Sequence, residues 1–429
     1  MQKEHEVALR TIHHSCIKVD SDTTVFLACP NKSENYYALW ARDAAVTSIG
    51  VLQSNDDQLI ATAENSWELL QSYQTKRGRI PAYIDLADKT NPRPEYDGWG
   101  RILTLDPQMW FVITAKHLFK KTQNAKYVAP AYLDSYKRAL DLLENRATES
   151  SNLVDWPISA GWDDQMQRRH HVLSLECLRV LALDDAAELF EKASDTVHAA
   201  LYRKEASQLR ETLRDTFWLD QDKVSWIFAN ASNLYGPGYF SPSAEEIMEF
   251  MKTMPTRFFA SYLAPYEITP DHLRFDTYAN TLAILSGVAT QEQSEKILDF
   301  VSENRLEEPW PVRVLDPVIE PGDRDHHPFF EYGRNKPYAY QNGGIWPHIT
   351  GLYILANKKM GRDAAAEESL DSMIEMVKQP GHSVPEWGFN EYYHGKAGLP
   401  GLDAQDRQAW SAGGLLYALA AVAEGKEIL

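Results

Sequence analysis

PEWGFNEYYHGKAG (385–398) and, a short way on, RQAWSAGGLLYALAA (407–421) form the stretch whose reading decides the fold. The first segment is too rich in glycine, proline and aromatic residues to be regular, and it presents Glu391 among tyrosines. The second is an apolar helix that begins at Gln408-Ala409-Trp410-Ser411. A carboxylate on a loop, held by aromatics and backed by a rigid helix, is a common way to present a catalytic acid or base.

The same alternation of aromatic loop and helix runs through the chain. From Tyr36 the pattern is helical, with Trp40, Ala44, Ile49 and Leu52 near one face. Helical stretches follow at about 56–73, 106–121, 130–147, 171–193 and 195–217, then at about 244–252, 275–287, 290–304, 343–358, 362–378 and 408–424. In 195–217, Asp195 is placed to cap, and Val197, Leu201, Leu209, Leu213 and Phe217 recur at steps of four or eight residues as an amphipathic stripe. Residues 22–30 (SDTTVFLAC) read as β, and no run of alternating strands follows. The total is about twelve helices, an all-α chain.

Segments 75–104, 150–168, 218–243, 305–342 and 379–406 hold much of the proline, glycine and tryptophan. Loops longer than about 12–15 residues are uncommon unless functional or disordered. These are aromatic rather than low in complexity, which argues against disorder. A ring of helical hairpins with long loops gathered at one end accounts for both features. No linker divides the chain, so residues 1–429 are expected to form one domain; large toroids hold together at this length.

Composition narrows the partners. The 43 basic and 61 acidic residues give a net charge of −18. That field repels phosphate backbones and anionic membranes, so neither nucleic acid nor a membrane is an expected partner. The three cysteines (Cys16, Cys29, Cys177) form no CxxC pair and no disulfide framework, which fits a reducing compartment. The N-terminus is charged throughout, unlike a signal peptide, and no segment approaches the roughly 18 apolar residues of a membrane span. A cytoplasmic protein is expected; oligomeric state is not legible.

Glu391 needs a partner to do chemistry, and the best candidate is Asp163 in DWPISAGWDDQ (155–165). Hydrolysis of a glycosidic bond uses two carboxyl groups, one kept protonated for the leaving oxygen and one ionised. Trp162 is placed to desolvate Asp163 and raise its pKa, and Tyr392 offers a hydroxyl beside Glu391. Trp40, Trp99, Trp110, Trp156, Trp162, Trp310, Trp346, Trp387 and Trp410 supply apolar ring faces of the kind on which sugars stack. Against this, most of the 61 acidic residues belong on a solvated surface, and Asp163 and Asp164 would equally well cap a following helix. The pairs His13-His14, His170-His171 and His326-His327 lack metal-ligand spacing, and no HExxH is present. A GxSxG elbow, a phosphate-binding loop and a dinucleotide fingerprint are absent too. No cofactor or metal is called for.

Several segments together resemble the (α/α)6-barrel glycoside hydrolases, especially the neutral/alkaline invertases and the amylo-α-1,6-glucosidase domain of glycogen debranching enzymes. LWARDAA (39–45) is similar to the W-x-R-D segment of glucoamylases and debranching enzymes, and GRIP (78–81) and LDPQMWFV (105–112) resemble debranching segments. SAGWDDQ (159–165) resembles the acid-bearing S-G-W-D of trehalase-type enzymes. RFDTYANTLAI (274–284), PWPVRVLDP (309–317) and YQNGGIWPHITGL (340–352) resemble invertase segments, and NEYYHGKAG…RQAWS (390–411) the loop with the catalytic base. These segments run in family order over most of the chain. The resemblance implies six inner and six outer helices, an active-site funnel at one end and an inverting mechanism with Asp163 as acid and Glu391 as base. It also implies that Arg42 and Asp43 hold the hydroxyls of the innermost sugar, with Asp106, Trp110, Gln341, Asn342, Trp346 and Trp410 lining the site. Asp155 and Asp164 are alternative acids, and Glu386 is an alternative base.

Three functions follow from these readings. The first is an inverting α-glycosidase acting on a short oligosaccharide or small glucoside. The second is a sucrose-cleaving invertase. The third, from another class, is a sugar epimerase or a non-catalytic carbohydrate binder on the same barrel.

Overall fold

The computed structural model describes residues 1–31, 36–148, 151–220, 222–223, 249, 256–263, 273–323 and 325–429. Among them, helices of nine residues or more come in pairs, the first of each pair amphipathic and the second buried nearly all round. The pairs are α1 (Gln2–His14) with α2 (Ala41–Val51), α3 (Asp57–Ser72) with α4 (Pro107–Thr122), and α5 (Pro130–Glu144) with α6 (Leu173–Lys192). They continue with α7 (Thr196–Phe217) and α8 (Thr277–Leu285), α9 (Gln291–Glu303) and α10 (Pro347–Lys359), and α11 (Asp363–Lys378) and α12 (Ala409–Glu424). Every residue of α2 and of α8 is buried, as expected of helices apolar on all sides.

The even-numbered helices pack each against the next, and α12 closes on α2, which makes a ring. Outside it, α1 lies against α12, α3 against α2, α5 against α4, α7 against α6 and α11 against α10. Phe300 of α9 reaches inward to Phe275, just before α8, with ring centroids 4.8 Å apart. This is the all-α (α/α)6 toroid. The ring closes where α12 passes between α2 and α10, and two consecutive glycines make that possible. A Cβ on Gly413 would stand 2.8 Å from Thr47 Cα, and one on Gly414 2.8 Å from His348 Cα. Only residues without a side chain let three backbones come so close.

Short antiparallel ladders rim one end of the ring. β1 (Cys16–Lys18) pairs with β2 (Thr24–Phe26), and β3 (Ala38–Trp40), β4 (Tyr83–Asp85) and β5 (Arg93–Glu95) pair in that order. β6 (His171–Val172) pairs with β7 (Tyr262–Leu263), and β8 (Phe275–Asp276) with β9 (Leu315–Asp316). β3, β6 and β8 lead straight into α2, α6 and α8. At two or three residues each, these strands are too short to show the period of two by which a strand is read from sequence. β2 falls inside the segment read as β. Helix α1 was not expected, because its charges hide the stripe Val7, Ala8, Thr11 and Ile12 that it buries. Apart from Glu249, which is helical, the expected helix at 244–252 lies outside the described residues, as does most of the 218–243 loop.

Candidate active site

At the end where the inner helices begin, the loops enclose a cavity of about 430 Å³. Trp40 and the first turn of α2 (Arg42, Asp43) form one wall, and Trp346 and Trp410, at the starts of α10 and α12, form another. Trp162 and Asp164 enter from the 155–168 loop, Tyr340 and Arg334 from the loop before α10, and Glu391 from the loop before α12. Phe329 and Asp403 stand exposed at the rim. The walls are braced by ring contacts: Trp162 meets Trp346 edge-on at 5.5 Å, and Trp410 stacks on His348 at 4.0 Å.

Glu391 is buried except towards the cavity. Its Oε1 accepts a hydrogen bond from the Tyr36 hydroxyl at 2.7 Å, and Oε2 lies 3.4 Å from Arg334 Nη1 and from the Gln405 amide. Burial pushes its pKa up to about 7, and Arg334, Tyr36 and the Gln405 amide hold it from rising further. Glu386, the rival base, is exposed on the surface.

On the opposite loop the structure separates the two adjacent aspartates. Asp163 turns away from the cavity and pairs at 2.9 Å with buried Arg168, which also pairs with Asp276, the N-cap of α8. Asp164 faces the cavity instead, where Gln341 Nε2 donates to its Oδ1 at 3.1 Å. Burial raises the pKa of Asp164, while Arg42 and Gln341 oppose the shift and Asp163 and Asp106 add to it. The carboxyl group of this loop that faces the cavity is therefore Asp164, not Asp163. The physical reason is the turn, which sends neighbouring side chains to opposite sides, and the Arg168 cation buried on the far side. Asp155 is exposed and bound to His170 at 2.9 Å, well outside the site.

Arg42 is clamped before any ligand arrives. Its Nε and Nη2 donate to the two oxygens of fully buried Asp106 at 2.5 and 3.1 Å, and Nη2 donates to the Gly161 carbonyl at 2.8 Å. Such a bidentate pair fixes the guanidinium plane. Asp43 beside it is pushed up to about 7 by burial, against the pull of Arg42 and with a push from Glu391 and Asp106.

Of the residues expected in the site, the cavity is lined by Trp40, Arg42, Asp43, Trp162, Trp346, Trp410 and Glu391. Asp106 and Gln341 stand behind the lining and hold Arg42 and Asp164. Tyr392 also stands behind, stacked on Trp346 at 5.7 Å with its hydroxyl on Asp403. Asn342 spends its amide on Ile319 and the Asn335 carbonyl, and Trp110 packs between α2, α3 and α4, so neither faces the cavity. The sequence reading missed Tyr36, Arg334, Tyr340 and Asp403. For Arg334, Tyr340 and Asp403 the one signal is position inside long aromatic loops, which does not single them out, and Tyr36 opens a segment read as helical. Among the described residues no group of three His, Cys, Asp or Glu is arranged to hold a metal ion.

What the cavity offers is two carboxyl groups and a pocket of indoles and fixed polar groups, the kind of site that glycoside hydrolases use. The kinship is specific: the chain belongs to the alkaline and neutral invertase family, which matches residues 11–424. It is 27% identical over 333 residues to alkaline/neutral invertase E, chloroplastic, of Arabidopsis thaliana, covering 74% of this chain and about half (52%) of that relative. It is 24% identical over 425 residues to cytosolic invertase 1 of Oryza sativa subsp. japonica, covering 90% of this chain and 71% of the relative. Among solved structures, the GH63 mannosylglycerate hydrolase of Thermus thermophilus in complex with glucose superposes with a TM-score of 0.66, covering 96% of this chain and 99% of that one at 12% identity. At that identity the likeness is one of fold.

Proposed function

We propose that this chain hydrolyses the α-glucosidic bond of a small saccharide with inversion, and that sucrose is the first substrate to test. The observation that carries the reading is that Asp164 and Glu391, from loops far apart in sequence, face one sugar-sized cavity. Asp164 is the general acid: it faces the cavity, and burial shifts its carboxyl towards the protonated form that a donor to the glycosidic oxygen needs. Glu391 is the general base, taking a proton from the water that attacks the anomeric carbon on the opposite face. The bond from that carbon to the leaving oxygen breaks as the water oxygen bonds, and glucose and the leaving alcohol are released. Arg42 and Asp43 hold hydroxyls of the glucosyl ring with donors and an acceptor, and the indoles cover its C–H faces. Inversion of this kind places the carboxyl groups roughly 6.5–9.5 Å apart, with room for the water.

The family names favour sucrose over other small glucosides, and the ring occupying the leaving-group side decides between them. An epimerase of this architecture works through a histidine pair. The described lining contains none, and His348 sits one layer back with its pKa pushed well below the usual range by burial and Arg42. Residues 1–429 are read as one catalytic domain with a small carbohydrate as its partner. A cytoplasmic location fits the cytosolic relative, although the other relative named is chloroplastic; no helix among the described residues is long and apolar enough to cross a membrane. Incubation with sucrose, trehalose, maltose, isomaltose and small glucosides tests the reading. Release of glucose and fructose from sucrose supports it; sugar binding with no product from any of them would favour a binder.

A further inference from the structure

Arg334 stands beside Glu391 on a segment that no catalytic motif of the sequence covers. Its Nη1 donates to the Tyr36 hydroxyl at 2.6 Å and lies 3.4 Å from Glu391 Oε2, while Nε pairs with Asp403 Oδ2 at 3.0 Å. The Tyr36 hydroxyl in turn donates its own hydrogen to Glu391 Oε1 at 2.7 Å. One guanidinium therefore reaches both oxygens of the carboxylate, one directly and one through a phenol that it polarises. The plane of Arg334 is fixed by the rings of Tyr340 and Tyr36, 5.2 and 5.7 Å from its centre. Next to it, Asn335 donates to the Gln165 carbonyl at 3.3 Å and accepts from the Gln341 amide at 2.9 Å. Gln341 also holds Asp164. The 334–341 segment thus ties the loop of one carboxyl group to the loop of the other.

We propose that Arg334 is a positioning residue that keeps Glu391 an oriented, ionised base, acting directly and through the Tyr36 hydroxyl. This rests on the assignment of Glu391 as the base. The groups that bear electrostatically on Glu391 are Arg334, Tyr36, Tyr340, Tyr392, Asp403, Cys29 and Asp43. Arg334 is the cation among them. Without it, burial and the neighbouring acids are opposed only by the hydrogen bonds from Tyr36 and the Gln405 amide, and the pKa of Glu391 rises further.

The test compares the parent, Arg334→Gln and Arg334→Lys, each with and without Glu391→Gln, from about pH 5 to about pH 9. The gain in Tm on replacing Glu391 by Gln follows the protonation of Glu391 and needs no substrate. The folded pKa, about 7, lies above the ordinary 4.5, so the stability that Glu391 contributes is present below 4.5 and lost as the pH rises through 7. The Gln gain should therefore grow across that window. Asp43 titrates in the same range, so the difference between paired variants carries the answer. In the Arg334→Gln background the growth should extend at least about one pH unit higher, and Lys should bring it back towards the parent. With sucrose, the acidic limb of kcat/KM should move by the same amount, with the rate recovering above it. Growth that stops at the parent's pH, or a rate loss uniform across pH, would overturn the proposal. If Arg334→Gln does not fold, Tyr36→Phe should give a smaller shift in the same direction, and no shift would count against the relay. Parental rates in Glu391→Gln alone would defeat the base assignment, while the thermal shift would still report on Arg334.

Discussion

Asp163 and Asp164 are neighbours in sequence, and Arg168 decides which of them meets the cavity. With the Arg168 cation buried behind the loop, Asp163 is drawn to it and Asp164 is left to face Arg42 and Gln341. The two asparagine variants should therefore differ in kind. Asp164→Asn is expected to lower turnover about 10²–10⁴-fold, the usual worth of a general acid, with little change in Tm. It should lose far less on α-glucosyl fluoride, whose leaving group needs no proton. Asp163→Asn should instead cost about 1–3 kcal/mol of stability, read by urea unfolding, because Arg168 keeps Asp276 but loses its second anion. The resemblance to S-G-W-D points to this loop, from which Trp162 and Asp164 line the cavity, but which of two adjacent carboxylates points inward depends on a buried arginine farther along and cannot be read from the motif. At Glu391 the pKa of about 7 gives a second expectation. The base must be ionised, so kcat/KM should rise with pH through an acidic limb near 7.

At the scale of the element, legibility followed length and amphipathicity. The predicted 56–73, 195–217 and 362–378 correspond to α3, α7 and α11 within a residue or so at each end; in α7 the expected stripe holds at Leu209, Leu213 and Phe217, whereas Val197 and Leu201 are exposed and Ala199, Tyr202 and Ala206 carry the buried face instead. Helix α1 was missed although it buries Ile12 and packs against α12. Ile12→Ala should cost about 2–5 kcal/mol in urea unfolding if α1 is part of the cooperative core, and almost nothing if it is a loose appendage. The glycine pair in α12 makes the opposite demand on space. Gly413→Ala pushes a methyl group against the α2 backbone and should cost about 1–3 kcal/mol by overpacking, with the Tm lowered accordingly. The short ladders at the rim were not legible, since two or three residues carry no period.

For the whole molecule, the toroid was readable because alternating outer and inner helices differ in where their apolar residues lie, and because the long loops between them are aromatic rather than simple. The cavity was readable only in part. Residues on the inner-helix starts, such as Arg42, Trp346 and Trp410, come with motifs, whereas Tyr36, Arg334 and Asp403 reach the site through the paths of irregular loops. The central claim is that water is directed by Glu391 at the glucosyl carbon, on the face opposite Asp164. Proton NMR of the sugar first released from sucrose tests it most directly, because the glucosyl carbon of sucrose is α. The expected result is β-glucose appearing first and relaxing to the anomeric mixture, with no such signal from Glu391→Gln; α-glucose appearing first would contradict it.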